Sequence, residues 1–192
     1  MAYLTEQRLR DRAAREYRRV LKSAQVRLAE VVQSSRTHFD VFLSHSIKDA
    51  ELVDGARLEL EDKGLTVYVD WVVDPAMSRE SVTAATANLL RLRMRQSDSL
   101  LYMHTENSPQ SKWMPWELGF FDGAKGRVAI LPVLKSPTSA FRGQEYLGIY
   151  PAVDFAPSTS GQERMWTQRS RDEYASFKEW LVDPSSIRRR TL

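Results

Sequence analysis

The stretch Phe39-Asp40-Val41-Phe42-Leu43-Ser44-His45-Ser46 is a short apolar run with polar residues directly after it. A run of this length, rich in β-branched and aromatic residues, is typical of a buried strand. Helical apolar spacing follows over Ala50–Lys63 and stops at Gly64, and a second apolar run covers Leu65–Val69. A strand, a helix and a strand in this order predict a βαβ unit with two parallel strands.

The same alternation continues towards the C-terminus. It predicts a helix over Ser81–Arg95, a strand over Ser99–His104, a helix that begins near Lys112–Met114 and closes at Phe120–Gly123, a strand over Val128–Leu134, a fifth strand within Tyr150–Phe155 and a terminal helix over Arg164–Leu181. Strands that alternate with helices form parallel sheets. The predicted fold class is therefore α/β, with a central parallel five-stranded sheet flanked by helices.

The first 36 residues have a different pattern. Residues 5–33 contain neither glycine nor proline, and Thr5 is a suitable N-cap. Apolar residues recur at helical spacing at Leu9, Ala13, Tyr17, Val20, Ala24, Leu28 and Val31. The pattern predicts one long amphipathic helix that packs on the parent domain or pairs with a second copy as a short coiled coil. We therefore divide the chain into an N-terminal basic helix and linker (1–36), a main domain (37–183) and a basic C-terminal tail (184–192).

Composition narrows the class of protein. The 192 residues are 42% hydrophobic, which is ordinary for a globular domain. The absence of cysteine excludes disulfides and thiolate metal sites. No apolar run approaches the ~20 residues of a membrane span, and the charged N-terminus lacks the apolar core of a signal peptide. We expect a cytoplasmic protein.

Positive charge is concentrated at the two ends of the chain. The net charge is +5 over residues 1–36, +3 over residues 184–192 and −5 over residues 37–183. A solvated helix face and a basic tail account for this pattern, whereas a nucleic-acid-binding domain carries its positive charge on the domain itself. We therefore expect no specific nucleic-acid partner.

A second informative stretch is Ser111-Lys112-Trp113-Met114-Pro115-Trp116-Glu117-Leu118. Because Pro115 fits a helix only near its start, Glu117 lies in the first turns, where the helix dipole favours an ionised carboxylate. Trp113, Trp116 and Glu117 are spaced i, i+3 and i+4 and share one face. Such a face can hold a flat cationic ligand or stabilise a developing positive charge. The structural alternative is that the tryptophans belong to the core and the glutamate is solvated.

Polar and aromatic residues also follow the predicted strands. Ser44 and His45 follow the first strand, Trp71 follows the second, and the helix that carries Glu117 follows the third. In open parallel sheets, ligands bind beyond the carboxyl ends of the strands. We therefore expect these residues to meet at one edge of the sheet, although His45 suits a structural role at that edge equally well.

These segments resemble a Toll/interleukin-1 receptor (TIR) domain. Residues Phe39–Ser46 resemble the first-strand signature of the family, Asp49 stands where the family often has an acidic residue, and Gly64–Asp70 resembles the second strand. Ser111-Lys112-Trp113 followed by Glu117-Leu118 resembles the Ser-x-Trp-x-x-x-Glu-Leu pattern of TIR domains that consume NAD. The resemblance covers about residues 38–181 and implies a flavodoxin-like TIR fold, here with an extra N-terminal helix.

The resemblance also implies an activity. Enzymatic TIR domains break the nicotinamide–ribose bond of NAD+, so the chain is expected to be an NAD+ glycohydrolase or ADP-ribosyl cyclase with Glu117 as the catalytic residue. The expected substrate-binding residues are Phe42, Ser44, His45, Trp71, Trp113 and Trp116. NAD+ is then the substrate, and no cofactor and no metal is expected. Whether the product is linear ADP-ribose or a cyclic ADP-ribose signal stays open.

The chain departs from the family pattern in two places. Met114 stands where plant members commonly have a cysteine. The loop Val72–Arg79, called the BB loop in the family, contains Pro75 but lacks the usual Gly-Asp pair. These departures bear on the geometry of the loop and the pose of the substrate more than on the chemistry.

Small TIR proteins of this type are often bacterial antiphage defence components, as in Thoeris systems, where a separate effector senses the product. The resemblance implies self-association through the TIR domain, and the N-terminal helix is a further candidate for it. One competing hypothesis is a non-enzymatic TIR–TIR interaction module, which Glu117 and the two tryptophans disfavour. Another is a nucleoside deoxyribosyltransferase, which the first-strand signature disfavours. The chain also lacks the glycine-rich fingerprint of P-loop and Rossmann proteins.

Overall fold

The computed structural model describes residues 2–32, 36–70, 84–137, 139, 141 and 145–189. Within these ranges the strands are β1 (Leu4–Thr5), β2 (Phe39–Ser44), β3 (Val67–Val69), β4 (Ser97–His104), β5 (Val128–Leu134), β6 (Ala152–Pro157), β7 (Glu163–Gln168), β8 (Glu173–Ser176) and β9 (Arg188–Arg189). The helices are α1 (Glu6–Val20), α2 (Ala24–Val32), α3 (Ala50–Asp62), α4 (Ala84–Arg95), α5 (Trp113–Lys125) and α6 (Phe177–Val182). None of these helices is long and apolar enough to cross a membrane.

The five predicted strands form the parallel part of the sheet, in the order β3-β2-β4-β5-β6. Helices flank both faces, which confirms the predicted α/β class with a mostly parallel central sheet. The sheet continues beyond β6 with the antiparallel strands β7, β8 and β9. Residues Leu4–Thr5 also pair in parallel with the carboxyl end of β5.

The prediction of a terminal helix over Arg164–Leu181 is wrong. Residues Glu163–Gln168 and Glu173–Ser176 are antiparallel strands, and only Phe177–Val182 is helical. The alternation that marks β7 is visible in its burial, since Met165 and Thr167 are buried whereas Arg164 is exposed. Ser176 and Glu179 form a capping box, which starts α6 only after the strands end.

The predicted single helix over residues 5–33 is interrupted. An N-terminal helix is present, but it ends at Leu21, whose φ of 54° is left-handed, and α2 begins at Ala24. The guanidinium of Arg27 donates to the carbonyl groups of Ala13 and Lys22. The bond to Lys22 satisfies an acceptor in the break, and the bond to Ala13 ties α2 back to α1.

Both N-terminal helices pack on the α/β domain of the same chain. Leu9 of α1 lies so close to α3 that a Cβ at Gly55 would come within 2.2 Å of the Leu9 carbonyl oxygen. Leu4, Leu9 and Leu28 are fully buried in the same cluster as the strand residues on that face of the sheet. The predicted linker residues 33–35 and the last three residues of the predicted tail lie outside the described residues.

The sheet therefore separates two hydrophobic cores. The first core lies between the sheet and α1, α2 and α3. The second core lies under α4 and α5 and includes Phe42, Tyr68, Tyr102 and Met114. The predicted site belongs to this second face, at the carboxyl ends of the strands.

Candidate active site at the carboxyl edge of the sheet

The centre of the site is a hydrogen bond between two buried residues from different elements. Ser44 is the last residue of β2, and Glu117 lies in the second turn of α5. The Ser44 Oγ donates to the Glu117 Oε2 across 2.6 Å. The two residues are only 1% and 3% exposed. The predicted convergence of the first-strand residue and the helix glutamate is therefore present in the structure.

Local sequence explains where α5 begins. The Ser111 Oγ accepts a hydrogen bond from the Met114 N–H. Pro115 lies in the first turn, where backbone N–H groups have no acceptor within the helix, so the missing N–H of proline costs no hydrogen bond. The predicted start of the helix is correct, but its end is Gly126 (φ 65°) rather than Gly123. The position at which α5 begins matters for the site, because it sets which helix face carries Glu117 and turns that residue towards the sheet.

A buried carboxylate ties the turn after β2 to the loop that leads into α5. The Asp49 Oδ2 accepts from the Thr105 Oγ1 at 2.6 Å, and its Oδ1 accepts from the Asn107 Nδ2 at 2.6 Å. The Ser108 Oγ completes the turn by accepting from the Thr105 N–H and donating to the Met103 carbonyl. The acidic position noted after the first strand thus links the two segments that carry Ser44 and Glu117.

Two tyrosines flank Glu117 on the neighbouring strands. Tyr102 of β4 is in register with Ser44, and Tyr68 of β3 is in register with Phe42, so all four residues face α5. Burial raises the pKa of Tyr102, with further contributions from the Tyr146 phenol and the Glu117 carboxylate. Burial also raises the pKa of Tyr68, with the Asp70 and Glu117 carboxylates adding to it. Both phenols therefore stay protonated and lie within electrostatic range of Glu117.

The two tryptophans of α5 contact other aromatic rings and α4, whereas Glu117 contacts the sheet. Their rings meet edge to face at 5.3 Å, and the Trp116 ring stacks on Phe120. The Arg91 guanidinium of α4 lies 5.4 Å from the centre of the Trp116 ring. Trp116 thus lies on the side of α5 that faces α4, whereas Trp113 lies one turn before Glu117. Both tryptophans are half-buried.

The other predicted substrate-binding residues fall into three groups. Phe42 is fully buried, and its ring stacks on Tyr68 at 5.3 Å, so it forms the floor under Ser44. His45 is buried, and its Nδ1 lies 2.8 Å from the Leu43 carbonyl oxygen, which suits the structural alternative for this residue. Trp71 and the BB-loop segment Val72–Arg79 lie outside the described residues.

Tyr68 and Tyr102 were not predicted as neighbours of Glu117. Alternation orders the side chains within one strand, but the register between β2 and β4 places Tyr102 beside Ser44. Within the described ranges, no group of three or more His, Asp and Glu residues is arranged to hold a metal ion. The groups next to Glu117 are hydroxyl and aromatic groups, which suit a sugar and a flat ring.

Comparison with known proteins finds two informative relatives. Over 147 residues, the chain is 48% identical to a Bacillus cereus (strain MSX-D12) protein named "Probable 3' cyclic ADP-D-ribose synthase ThsB'"; the match covers 74% of this chain and 75% of that protein. Over 83 residues it is 32% identical to a Cytobacillus dafuensis protein named "Putative cyclic ADP-D-ribose synthase TIR2", a match that covers 43% of this chain and 22% of that protein. No family model matches the chain.

Proposed function

Because this chain belongs to the bacterial TIR-domain family of the Thoeris type, we propose that it consumes NAD+ at Glu117 and releases a cyclic ADP-ribose as a signal in antiphage defence. The observation that carries the proposal is the buried Ser44–Glu117 hydrogen bond at the carboxyl edge of the parallel sheet. The names of both relatives support the cyclic product.

The chemistry needs one carboxylate. The bond that breaks joins C1 of the ribose to the nicotinamide nitrogen, and its electron pair leaves with the nitrogen. The nitrogen is cationic in NAD+, so nicotinamide departs neutral and requires no general acid. The ribose carbon becomes oxocarbenium-like at the transition state, as in glycoside hydrolysis. Glu117 stabilises this positive charge, and Ser44 orients the carboxylate.

Ring closure completes the reaction. A hydroxyl or a ring nitrogen at the adenosine end of the same molecule attacks the cationic carbon and forms the new bond. A hydroxyl nucleophile loses its proton in this step, and Glu117 can accept the proton and pass it to water. The balance is NAD+ giving cyclic ADP-ribose, nicotinamide and one proton. Attack by water at the same carbon gives linear ADP-ribose, which is the glycohydrolase reaction.

The aromatic side chains supply the surroundings of the reaction. Trp113 lies one turn before Glu117 and offers a half-buried ring for stacking on nicotinamide. Phe42 and Tyr68 form an apolar floor beneath Ser44. An apolar floor excludes water from the ribosyl cation and favours capture by the nucleotide itself.

The decisive experiment compares the native protein with Glu117→Gln and Glu117→Ala. NAD+ consumption and products are followed by mass spectrometry. We expect cyclic ADP-ribose from the native protein and a fall in kcat/KM of roughly 10²- to 10³-fold in both variants, because a charge aimed at the transition state is lost. Glu106→Gln is the matched control, because Glu106 is an exposed carboxylate on the loop after β4, where it forms an ion pair with Lys135.

Three results would change the proposal. Activity retained in both Glu117 variants would remove this residue from catalysis. Linear ADP-ribose as the main product would make the protein a glycohydrolase. No turnover by the native protein, also at high protein concentration, would favour the non-enzymatic interaction module.

A further inference from the structure

Two phenol hydroxyls beside Glu117 are buried without a hydrogen-bond partner among the described residues. Tyr102 is 0% exposed and Tyr68 is 1% exposed, yet neither phenol oxygen meets hydrogen-bond geometry with any group in that part of the chain. The Tyr146 phenol and the Arg93 guanidinium lie close enough to Tyr102 and Tyr68, respectively, to influence the pKa of each phenol. Neither pair meets the geometry of a formed hydrogen bond. A buried donor without a partner costs about 1–3 kcal/mol.

Several other hydroxyls on and beside the sheet have partners, although the Thr167 Oγ1 on β7 is buried without one. The Ser99 Oγ donates to the Asp40 carbonyl at 2.8 Å, and the Ser108 Oγ donates to the Met103 carbonyl at 3.0 Å. The Tyr150 hydroxyl, at the far end of α5, donates to the Asp122 carboxylate at 3.0 Å. Four buried hydroxyls of the described residues have no partner, on Tyr68, Tyr102, Thr167 and Ser186, and the two phenols among them lie next to the proposed catalytic residue.

Their positions form a pattern around Glu117. Tyr68 and Tyr102 lie on β3 and β4, the two strands that flank β2 and its terminal Ser44. Both phenols interact electrostatically with the Glu117 carboxylate. Three hydroxyl groups on three adjacent strands thus surround one carboxylate, but only the Ser44 hydroxyl has its bond.

We propose that the Tyr102 and Tyr68 hydroxyls contact the substrate and donate hydrogen bonds to the ribose hydroxyl oxygens of the nucleotide held at Glu117. This inference rests on the proposed function. A ribose presents two adjacent hydroxyl groups, each of which donates one bond and accepts others. Glu117 is an acceptor and the two phenols are donors, so the three groups complement a cis-diol.

Protonated phenols suit this task over a wide pH range. Burial holds the pKa of both tyrosines above the ordinary value, so each hydroxyl keeps its proton at neutral pH and acts as a donor. A sugar gripped by two donors and one acceptor is fixed in orientation. Fixed orientation helps the reacting carbon to meet the nucleophile of its own molecule.

The test removes one oxygen atom at a time. Tyr102→Phe and Tyr68→Phe are assayed for kcat/KM with NAD+ and for unfolding temperature. We expect a fall of about tenfold in kcat/KM for each variant, as the loss of one hydrogen bond to substrate predicts. The unfolding temperature should stay equal or rise, because the free protein loses no hydrogen bond.

Tyr150→Phe is the matched control. It removes the same atom from a phenol that has a partner, so the unfolding temperature should fall slightly while kcat/KM stays at the native value. A structural role for Tyr102 or Tyr68 would instead lower kcat/KM and unfolding temperature together, and would overturn the proposal. If Tyr102→Phe folds poorly, Tyr68→Phe carries the same test.

Substrate analogues locate the contact. NAD+ analogues that lack the 2'- or 3'-hydroxyl of the nicotinamide ribose should react more slowly with the native protein. For the native protein, kcat/KM should be higher with NAD+ than with each analogue. This difference in kcat/KM should be smaller in the phenylalanine variant that lacks the partner of the missing hydroxyl. The inference is overturned if both variants keep the native kcat/KM with NAD+. It is also overturned if the difference in kcat/KM between NAD+ and the analogues is the same in both variants as in the native protein. A native protein that does not turn over NAD+ overturns the proposed function itself.

Discussion

Asp54 and Glu117 are buried carboxylates on opposite faces of one sheet, and their partners differ. Asp54 of α3 is 0% exposed and is bound by two guanidinium groups, from Arg57 at 2.8 Å and from Arg27 of α2, whose Nε lies at 3.0 Å. Glu117 is 3% exposed and accepts from the neutral hydroxyl of Ser44, with two neutral phenols near it.

The difference supports a structural role for Asp54 and the proposed catalytic role for Glu117. Two guanidinium groups compensate the charge of Asp54 and join α2 to α3, so this carboxylate fastens the N-terminal helices to the domain. The Ser44 hydroxyl orients the Glu117 carboxylate at the carboxyl edge of the sheet. An ionised carboxylate at this place can stabilise a cation that develops beside it.

The largest expected effect on stability is that of Asp54→Asn. Removing the charge leaves Arg27 buried without its anion, while Arg57 keeps Glu61 at 2.7 Å. We therefore expect a loss of about 3 kcal/mol in the free energy of unfolding. Urea unfolding measures the loss. Asp62→Asn is the control, because Asp62 is half-exposed and pairs with Arg12. An equal, small loss in both variants would contradict the distinction drawn between the two carboxylates.

The next effect is that of Ser44→Ala, which removes the hydroxyl that orients Glu117. A hydrogen bond to a charged group contributes about 1.5–3 kcal/mol, so we expect kcat/KM with NAD+ to fall by roughly tenfold or more. Ser99→Ala removes a buried hydroxyl from the same sheet and should lower stability while it leaves kcat/KM unchanged. Native activity in Ser44→Ala would mean that Glu117 needs no orienting donor.

The smallest expected effect is on the free energy of unfolding and comes from Glu163, which is an exposed carboxylate, unlike the buried Asp54 and Glu117. Bonds from Arg8, followed by those from Lys63, lower the pKa of Glu163 to about 2. Since the folded pKa lies below the unfolded one, the stabilisation is present above about pH 4.5 and is lost as the pH falls towards 2. Exposure limits it to roughly 0.2–1 kcal/mol.

Glu163→Gln tests this pH dependence. The variant should be slightly less stable than the native protein at pH 6, and the difference should shrink at pH 3 or in 1 M salt. Urea unfolding at the two pH values measures it. A difference that grows as the pH falls would reverse the assigned sign.

Local pattern predicted most of the fold. The apolar runs located β2, β3, β4, β5 and β6, and their alternation with helical spacing predicted the parallel sheet. The same reasoning failed over Arg164–Leu181, where Trp166, Tyr174 and Phe177 suited a helical stripe. In the structure Trp166 and Tyr174 meet edge to face across two antiparallel strands, a contact between residues eight positions apart. Apolar spacing alone does not distinguish these arrangements.

The prediction of a single helix over residues 5–33 was wrong for a related reason. Its helical periodicity was read correctly, but the chain breaks at Leu21, and Arg27 beyond the break bonds to the Lys22 carbonyl and to Asp54 on α3. A residue that is 27 positions away in the chain supplies this partner. Periodicity within the segment carries no information about such a contact.

The sequence by itself determined the α/β order of elements, the helix start that places Glu117 at the carboxyl edge, and the TIR resemblance. Only the tertiary structure decided that the Ser44 hydroxyl reaches Glu117, that Trp116 faces α4, and that Tyr68 and Tyr102 flank the carboxylate. The physical reason is one of range. Propensity and periodicity act over one or two turns of chain, whereas hydrogen bonding at a site depends on the register of separate strands and on the packing of a helix over them.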